Sequence, residues 1–315
     1  MTLHALPTVR GATVHDASIQ PRTPRLVEAQ RTLLAFRGDE LPSAALRRAV
    51  QTSAALGHEL HVLRVLPSLV RHNVLFPQRN VSDAFQALEL SEKAVRSTRS
   101  WLLDALGDDG TAERLVVRTG GFEEATIAYA REIRASLVVV PAGGRRVGRS
   151  ASTIACAIGK PVLVPKARGK EDTIVAATSL AEEGYPVLRR AARLGRSLGG
   201  RMVAVHNVVP FVSIADIASP FSQMGDTIAS VLELRTRRLR GAARRMAATS
   251  SSVITVGLDS CRAILDEART RDADIVVVGA RPRSWVDRVL SSDLAADVVD
   301  KARRTVVVEP LDAAE

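Results

Sequence analysis

The chain states one pattern twice. A block reading RTLLAFRGDELPSAALRRAV, ELHVLRVLP, ASLVVVPAGG and KPVLVP is followed by one reading DTIVAATSLAEEGYPVLRRAA, RMVAVHNVVP, ADIVVVGARP and RTVVVEP. Leu46-Arg47-Arg48-Ala49 returns as Leu188-Arg189-Arg190-Ala191, Pro67 as Pro210, Leu137 as Ile275 and Pro161 as Thr305, each about 140 residues later. Solenoid repeats run ~20–50 residues, so a period this long duplicates a whole domain. Each half must bury a core, and any functional site has to be sought twice.

Within each half, short apolar runs rich in β-branched residues and bounded by Gly, Pro or charge predict buried strands. They are Arg31–Phe36, Leu60–Leu66, Arg114–Arg118, Leu137–Val140 and Val162–Val164, then Thr173–Ala177, Met202–Val208, Val253–Val256, Ile275–Val278 and Val306–Val308. Helical stripes lie between them, at Pro42–Leu56, Ser82–Leu106 and Phe122–Arg134, then Tyr185–Leu198, Asp226–Ala248 and Ser260–Thr270. Strands that alternate with helices give a parallel sheet covered on both faces, an α/β fold that is doubly wound in each half. Ligands of such sheets bind beyond the carboxyl ends of the strands, at the point where the strand order reverses. The loops after the first, second and fourth strands of each half are therefore the candidate sites.

Composition excludes several classes. Aromatics are only 3 % of the residues, so the cores must be aliphatic and few rings are available to stack on bases. No DNA-reading motif is present, which also argues against nucleic acid. No apolar run is long enough to span a membrane. Residues 1–27 read as a flexible arm rather than a signal peptide, since they carry Arg10, Asp16 and several prolines with no apolar segment. Cys156 and Cys261 show no metal-like spacing and read as buried and reduced, which fits a cytoplasmic chain. The scattered histidines, His206 among them, read as surface or loop residues. The net charge of +10 favours anionic partners without naming one. Its densest stretch, Arg235–Arg245, falls on a helix and is either a solvated face or a dock for an acidic partner.

The loop after the fourth strand of the first half reads VVVPAGGRRVGRSAST. A glycine-rich turn from strand into helix can offer backbone N–H groups to a phosphate. Gly143, Gly144 and Gly148 are permissive, and Arg145, Arg146 and Arg149 add charge. Ser150, Ser152 or Thr153 caps the helix or donates to an anion. The same pattern also describes a glycine turn with an N-cap serine that needs no ligand.

The repeated order of strands, the LRRA helix after the first strand, and VVVG followed by a PVLV-like strand resemble the universal stress protein family over about residues 28–315. That resemblance implies two tandem doubly wound five-stranded parallel sheets of the adenine nucleotide α-hydrolase-like fold, in domains 28–167 and 168–315. It implies a role in stress response through ligand sensing or partner binding. ATP-binding members carry an Asp at the end of the first strand and G-x-x-G, nine residues, then G-[S/T] after the fourth. In this chain the Asp position falls on Arg37, with Asp39 close by, and on Ser179 in the second half. Pro282, Ser292 and Asp293 replace the second glycine, the third glycine and the hydroxyl residue of the second loop. Pro282 lacks an N–H, and Asp293 is expected to cap its helix and supply internally the anion a nucleotide would have supplied. ATP or another phosphoanion is thus expected in the first domain only, on Arg37, Asp39, Gly143, Gly144, Arg145, Gly148, Ser150, Ser152 and Thr153. The missing acids argue against more than weak nucleotide hydrolysis. In the family the last strands pair across a two-fold axis. The two halves are expected to form such a pseudo-dimer within one chain, and further pairing into a homodimer is left open. The alternative is a scaffold that binds no nucleotide and docks an acidic partner through Arg235–Arg245.

Overall fold

A computed structural model describes residues 29–38, 41–68, 77–107, 109–143, 146–166, 173–209, 221–282 and 293–311. The first half runs β1 (Arg31–Arg37), α1 (Ser43–Leu56), β2 (Glu59–Leu66), α2 (Pro77–Leu106), α3 (Asp109–Glu113), β3 (Leu115–Thr119), α4 (Phe122–Glu132), β4 (Leu137–Val139), α5 (Val147–Ile158) and β5 (Val162–Val164). The second runs β6 (Thr173–Ala177), α6 (Pro186–Leu198), β7 (Arg201–Val208), α7 (Phe221–Met246), β8 (Ser250–Val256), α8 (Ser260–Thr270), β9 (Ile275–Ala280), α9 (Leu294–Lys301) and β10 (Thr305–Pro310).

The strands form one ten-stranded sheet in the order β3-β2-β1-β4-β5-β10-β9-β6-β7-β8. All pairings within a half are parallel. The two halves meet at β5 and β10, which pair antiparallel with Val164 opposite Val306 and Val162 opposite Val308. Each half alone would leave its last strand with an open edge, and an unpaired edge invites pairing. Here each supplies the other's missing neighbour.

Alternation along the strands divides the core between two faces. Leu33 and Ala35 of β1 lie on one face of the sheet, in a cluster that also includes Phe122 and Tyr129 of α4, Ile154 of α5, Ile264 of α8 and Val298 of α9. Leu34 and Phe36 lie on the other face, in a cluster with Leu46 of α1, Leu102 of α2, Leu188 of α6 and Leu239 of α7. Both clusters draw on both halves, so the cores are continuous across the β5–β10 seam.

Because that seam is antiparallel, the carboxyl ends of the first half's strands lie beside the amino ends of the second half's. Polar contacts cross there. Arg48 Nη2 of α1 reaches Asp274 Oδ2 at the start of β9 at 2.6 Å, with both side chains largely buried. Lys166 Nζ, just beyond β5, donates to the carbonyls of Val299 and Ala302 (2.7 Å for the latter), closing the last turn of α9. The Gly148 N–H of α5 donates to Asp300 Oδ1 of α9 at 2.8 Å.

Candidate functional site

The strand order of the first half reverses between β1 and β4, and a cleft of about 880 Å³ opens at their carboxyl ends. Its apolar lining includes Phe36, Phe122, Val140 and Val147. Arg37, Arg47, Arg48 and Lys166 bring positive charge, and Asp274 and Thr305 of the second half form the far wall. Arg48 and Lys166 are already committed across the seam. Arg37, exposed at the end of β1, lays its guanidinium over the Phe122 ring at 5.4 Å from the centroid.

A second groove of about 750 Å³ follows α5 and shares Arg37 as a wall. Arg146, Arg149, Ser150, Ser152 and Thr153 line it, with Glu123, Arg281 and Asp293 opposite. Ser152 Oγ is buried in this lining with no hydrogen-bond partner. A buried hydroxyl without a partner is uncommon and is the kind of group a ligand oxygen would satisfy.

The predicted site residues separate into three sets. Arg37, Gly143, Ser150, Ser152 and Thr153 line one or both cavities. Asp39, Gly144 and Arg145 lie outside the described residues. Gly148 is withdrawn from the opening: its N–H is held by Asp300, and a Cβ there would meet the Ala296 carbonyl oxygen at 2.2 Å. Glycine at this position lets α5 and α9 approach closely.

The expected capping serine is corrected. Helix α5 begins at Val147, after Arg146 in the left-handed region at φ 65°, and the Arg146 side chain makes no capping hydrogen bond. Ser150, Ser152 and Thr153 therefore lie inside the helix. Ser150 Oγ instead donates to Glu123 of α4. The anion at this helix start is the carboxylate of Asp300, placed where the helix dipole favours negative charge.

At the corresponding place in the second half, the carboxyl ends of β6 and β9, the described residues include two packed leucines and an ion pair. Leu180 follows β6 at φ 64° and is fully buried. Leu311 lies so close over Gly279 that a Cβ there would meet its Cδ1 at 2.5 Å. Glu182, in the loop after β6, pairs with Arg281, in the loop after β9, at 2.8 Å and straps the opening. Asp293 caps α9, its Oδ1 accepting from Ala296 N at 3.1 Å, as its position predicts.

Two polar side chains that position these loops were missed from the sequence. Arg64 of β2 is buried and donates to Gly38 O at 3.2 Å and to Thr98 Oγ1 at 2.9 Å, tying the turn after β1 to α2. Gly38 has φ 89°, a backbone that suits glycine. His206 of β7 does the same service in the second half. Its Nδ1 lies 2.8 Å from Thr178 O, and since a carbonyl only accepts, Nδ1 carries the proton. The reading of His206 as a surface residue is thus corrected: burial is the main reason its pKa is lowered, with the Arg235 and Arg238 charges adding to the effect. The available signal was a polar residue inside an apolar strand, LHVLRVL and MVAVHNV.

Cys261 is buried and Cys156 half-buried, which corrects the expectation for the latter. Among the described residues no cluster of His, Cys, Asp and Glu could hold a metal ion, and no helix is long and apolar enough to cross a membrane. On α7, Leu239 is buried and Arg237, Arg238, Arg240, Arg244 and Arg245 are exposed, but so is Leu234.

The model of the universal stress protein family matches this chain twice, over residues 28–164 and 171–310. Among solved structures, a universal stress protein from Archaeoglobus fulgidus DSM 4304 is 14 % identical, with 89 % of this chain and 96 % of that one covered at a TM-score of 0.58. A functionally unknown protein from Pseudomonas aeruginosa PAO1 is 16 % identical, with 90 % and 94 % covered at a TM-score of 0.57. No curated protein matches the chain significantly.

Proposed function

Because this chain belongs to the universal stress protein family, with one module in each half, we propose that it acts in stress physiology as a non-catalytic sensor of a phosphate-bearing small molecule. An adenine nucleotide is the first ligand to test, and the first half is the half that binds it. The cytoplasm is the compartment this reading assigns. The observation that carries it is the asymmetry between the two crevices. That between β6 and β9 holds Leu180, Leu311 and the Glu182–Arg281 strap. That between β1 and β4 keeps an open cleft with an apolar lining and Arg37 and Arg47 at its rim. An apolar pocket with a few cationic groups suits a base and its phosphates. Arg146, Arg149 and the unpartnered Ser152 hydroxyl continue that lining along α5. The second half then serves as wall and scaffold.

The test is native mass spectrometry of the freshly purified chain, with thermal shifts on added ATP, ADP and AMP. A bound nucleotide that Arg37→Glu weakens at least tenfold, with Ser179→Asp without effect, supports the reading. No bound ligand and no shift at about millimolar nucleotide would reject it.

A second reading rests on a separate observation, the five exposed arginines of α7, of which Arg237 pairs with Glu233. On this reading the chain is a scaffold and α7 docks an acidic protein. Retention on an acidic peptide column, abolished by Arg240→Glu with Arg244→Glu and unaffected by nucleotide, would favour it.

A further inference from the structure

The two outer edges of the ten-stranded sheet are built differently. Strand β3 is flanked and occupied by arginines: Arg114 pairs with Glu59, and Arg118 with Glu132. Charged side chains of this kind blunt an edge against pairing. Strand β8 reads SSSVITV, and the surrounding run Met246–Leu258 contains no charged residue and no proline. Among the described residues β8 pairs only with β7. Its end is apolar and open, with Val256 54 % and Leu258 81 % exposed, and Val209 beside them 43 % exposed.

The phase of the ladder determines what the edge offers. Gly257 N donates to Val208 O on the β7 side. Backbone groups alternate in direction along a strand, so residues 251, 253 and 255 also turn toward β7. Ser250, Ser252, Ile254 and Val256 present their N–H and C=O groups outward. That array is complementary to itself. Turned about a two-fold axis through Val253, Ser252 falls opposite Ile254 of a second copy and Ser250 opposite Val256. All four residues are then hydrogen-bonding positions of an antiparallel pair.

We propose that β8 is a homodimerisation edge, pairing antiparallel with β8 of a second copy of this chain to continue the sheet through a two-fold axis. A copy with a net charge of +10 is repelled over most of this surface, and the charge-free run is where like-charged copies can approach. The chain already joins its halves by this device, at the antiparallel seam between β5 and β10. The self-complementary register favours a second copy over a foreign strand, and an isologous two-fold contact closes after one pairing.

Sedimentation equilibrium of the full chain tests this. The expected mass at about 10 μM is near twice the 33.8 kDa chain. Ser252→Pro removes an outward N–H and leaves the β7 ladder intact, so the variant is expected to be monomeric with an unchanged circular dichroism spectrum. Val256→Lys, at an exposed position, is expected to weaken the dimer at least tenfold and guards against misfolding of the proline variant. Val253→Cys, with Cys156 and Cys261 replaced by Ser, is expected to form an interchain disulfide on oxidation, because the axis places residue 253 opposite itself. Thr119→Lys on the opposite edge leaves the dimer unchanged. A wild-type monomer at all concentrations, a dimer that both β8 variants leave intact, or an assembly that grows past two copies would each overturn the proposal.

Discussion

The carboxylate of Asp300 accepts a hydrogen bond at 2.8 Å from Gly148 N, the second residue of a helix in the other half of the molecule. The N-terminus of a helix favours an anion. In this chain a side chain from the second repeat supplies that anion permanently. Asp300→Ala is expected to destabilise the fold by about 1.5–3 kcal/mol, the range for a hydrogen bond with one charged partner, read as a shift in urea midpoint. Asp300→Asn retains an acceptor and should lose less. Equal losses in the two variants would mean that the charge contributes nothing.

Glycines of the same loop should respond oppositely. Gly148→Ala places a methyl group against the Ala296 backbone, which cannot turn aside, and overpacking of this kind costs about 3 kcal/mol. An added Cβ at Gly143 meets nothing within 4 Å. Gly143→Ala should stay within about 0.5 kcal/mol of wild type in denaturation, which makes it the cleaner probe of ligand binding.

The Arg48–Asp274 pair joins α1 to the start of β9 with the Asp274 side chain almost wholly buried. Removing Asp274 takes a carboxylate away from the largely buried Arg48 guanidinium. Asp274→Ala is expected to lose about 3–5 kcal/mol, whereas exposed Asp266→Ala, which removes pairs with Arg262 and Arg269, should lose less than about 1 kcal/mol. Thermal denaturation of the two variants side by side checks the contrast.

Much of the fold was legible because a doubly wound sheet buries its strands on both faces, so runs such as LVVV and IVVV stand out. The repeat then supplied the topology, since each half had to explain the other. The site was less legible because its geometry depends on long-range contacts. Ser150 lies in a plausible capping pattern, yet Arg146 in the left-handed region starts the helix earlier. Asp300 is one of many acids in the sequence, and only the β5–β10 seam brings it to Gly148. Leu311 follows the last strand as an ordinary apolar residue, and only its packing over Gly279 makes it a plug. Asp293 was readable because a cap acts within one turn of its own helix.

Acid should weaken the fold through buried His206 and half-buried His58 and His61. His206 is held neutral chiefly by burial, with Arg235 and Arg238 adding to the effect, against the Thr178 carbonyl and Glu182. His58 and His61 shift the same way, again chiefly by burial. A histidine whose folded pKa lies below its unfolded value of about 6.5 stabilises fully above that pH, and the contribution is lost as pH falls through the folded value. Glu309 acts in the opposite sense. Burial raises its pKa despite the Arg190 partner, so its contribution is present at low pH and is lost as pH rises from the ordinary carboxylate range. The two must be separated by substitution. His206→Gln can still donate to Thr178 O but cannot charge. Between pH 7.5 and 5.5 the wild type should lose stability in urea, and the Gln variant should lose less. Parallel pH profiles for the two proteins would show that His206 does not titrate in that window and would move the acid sensitivity to His58 and His61.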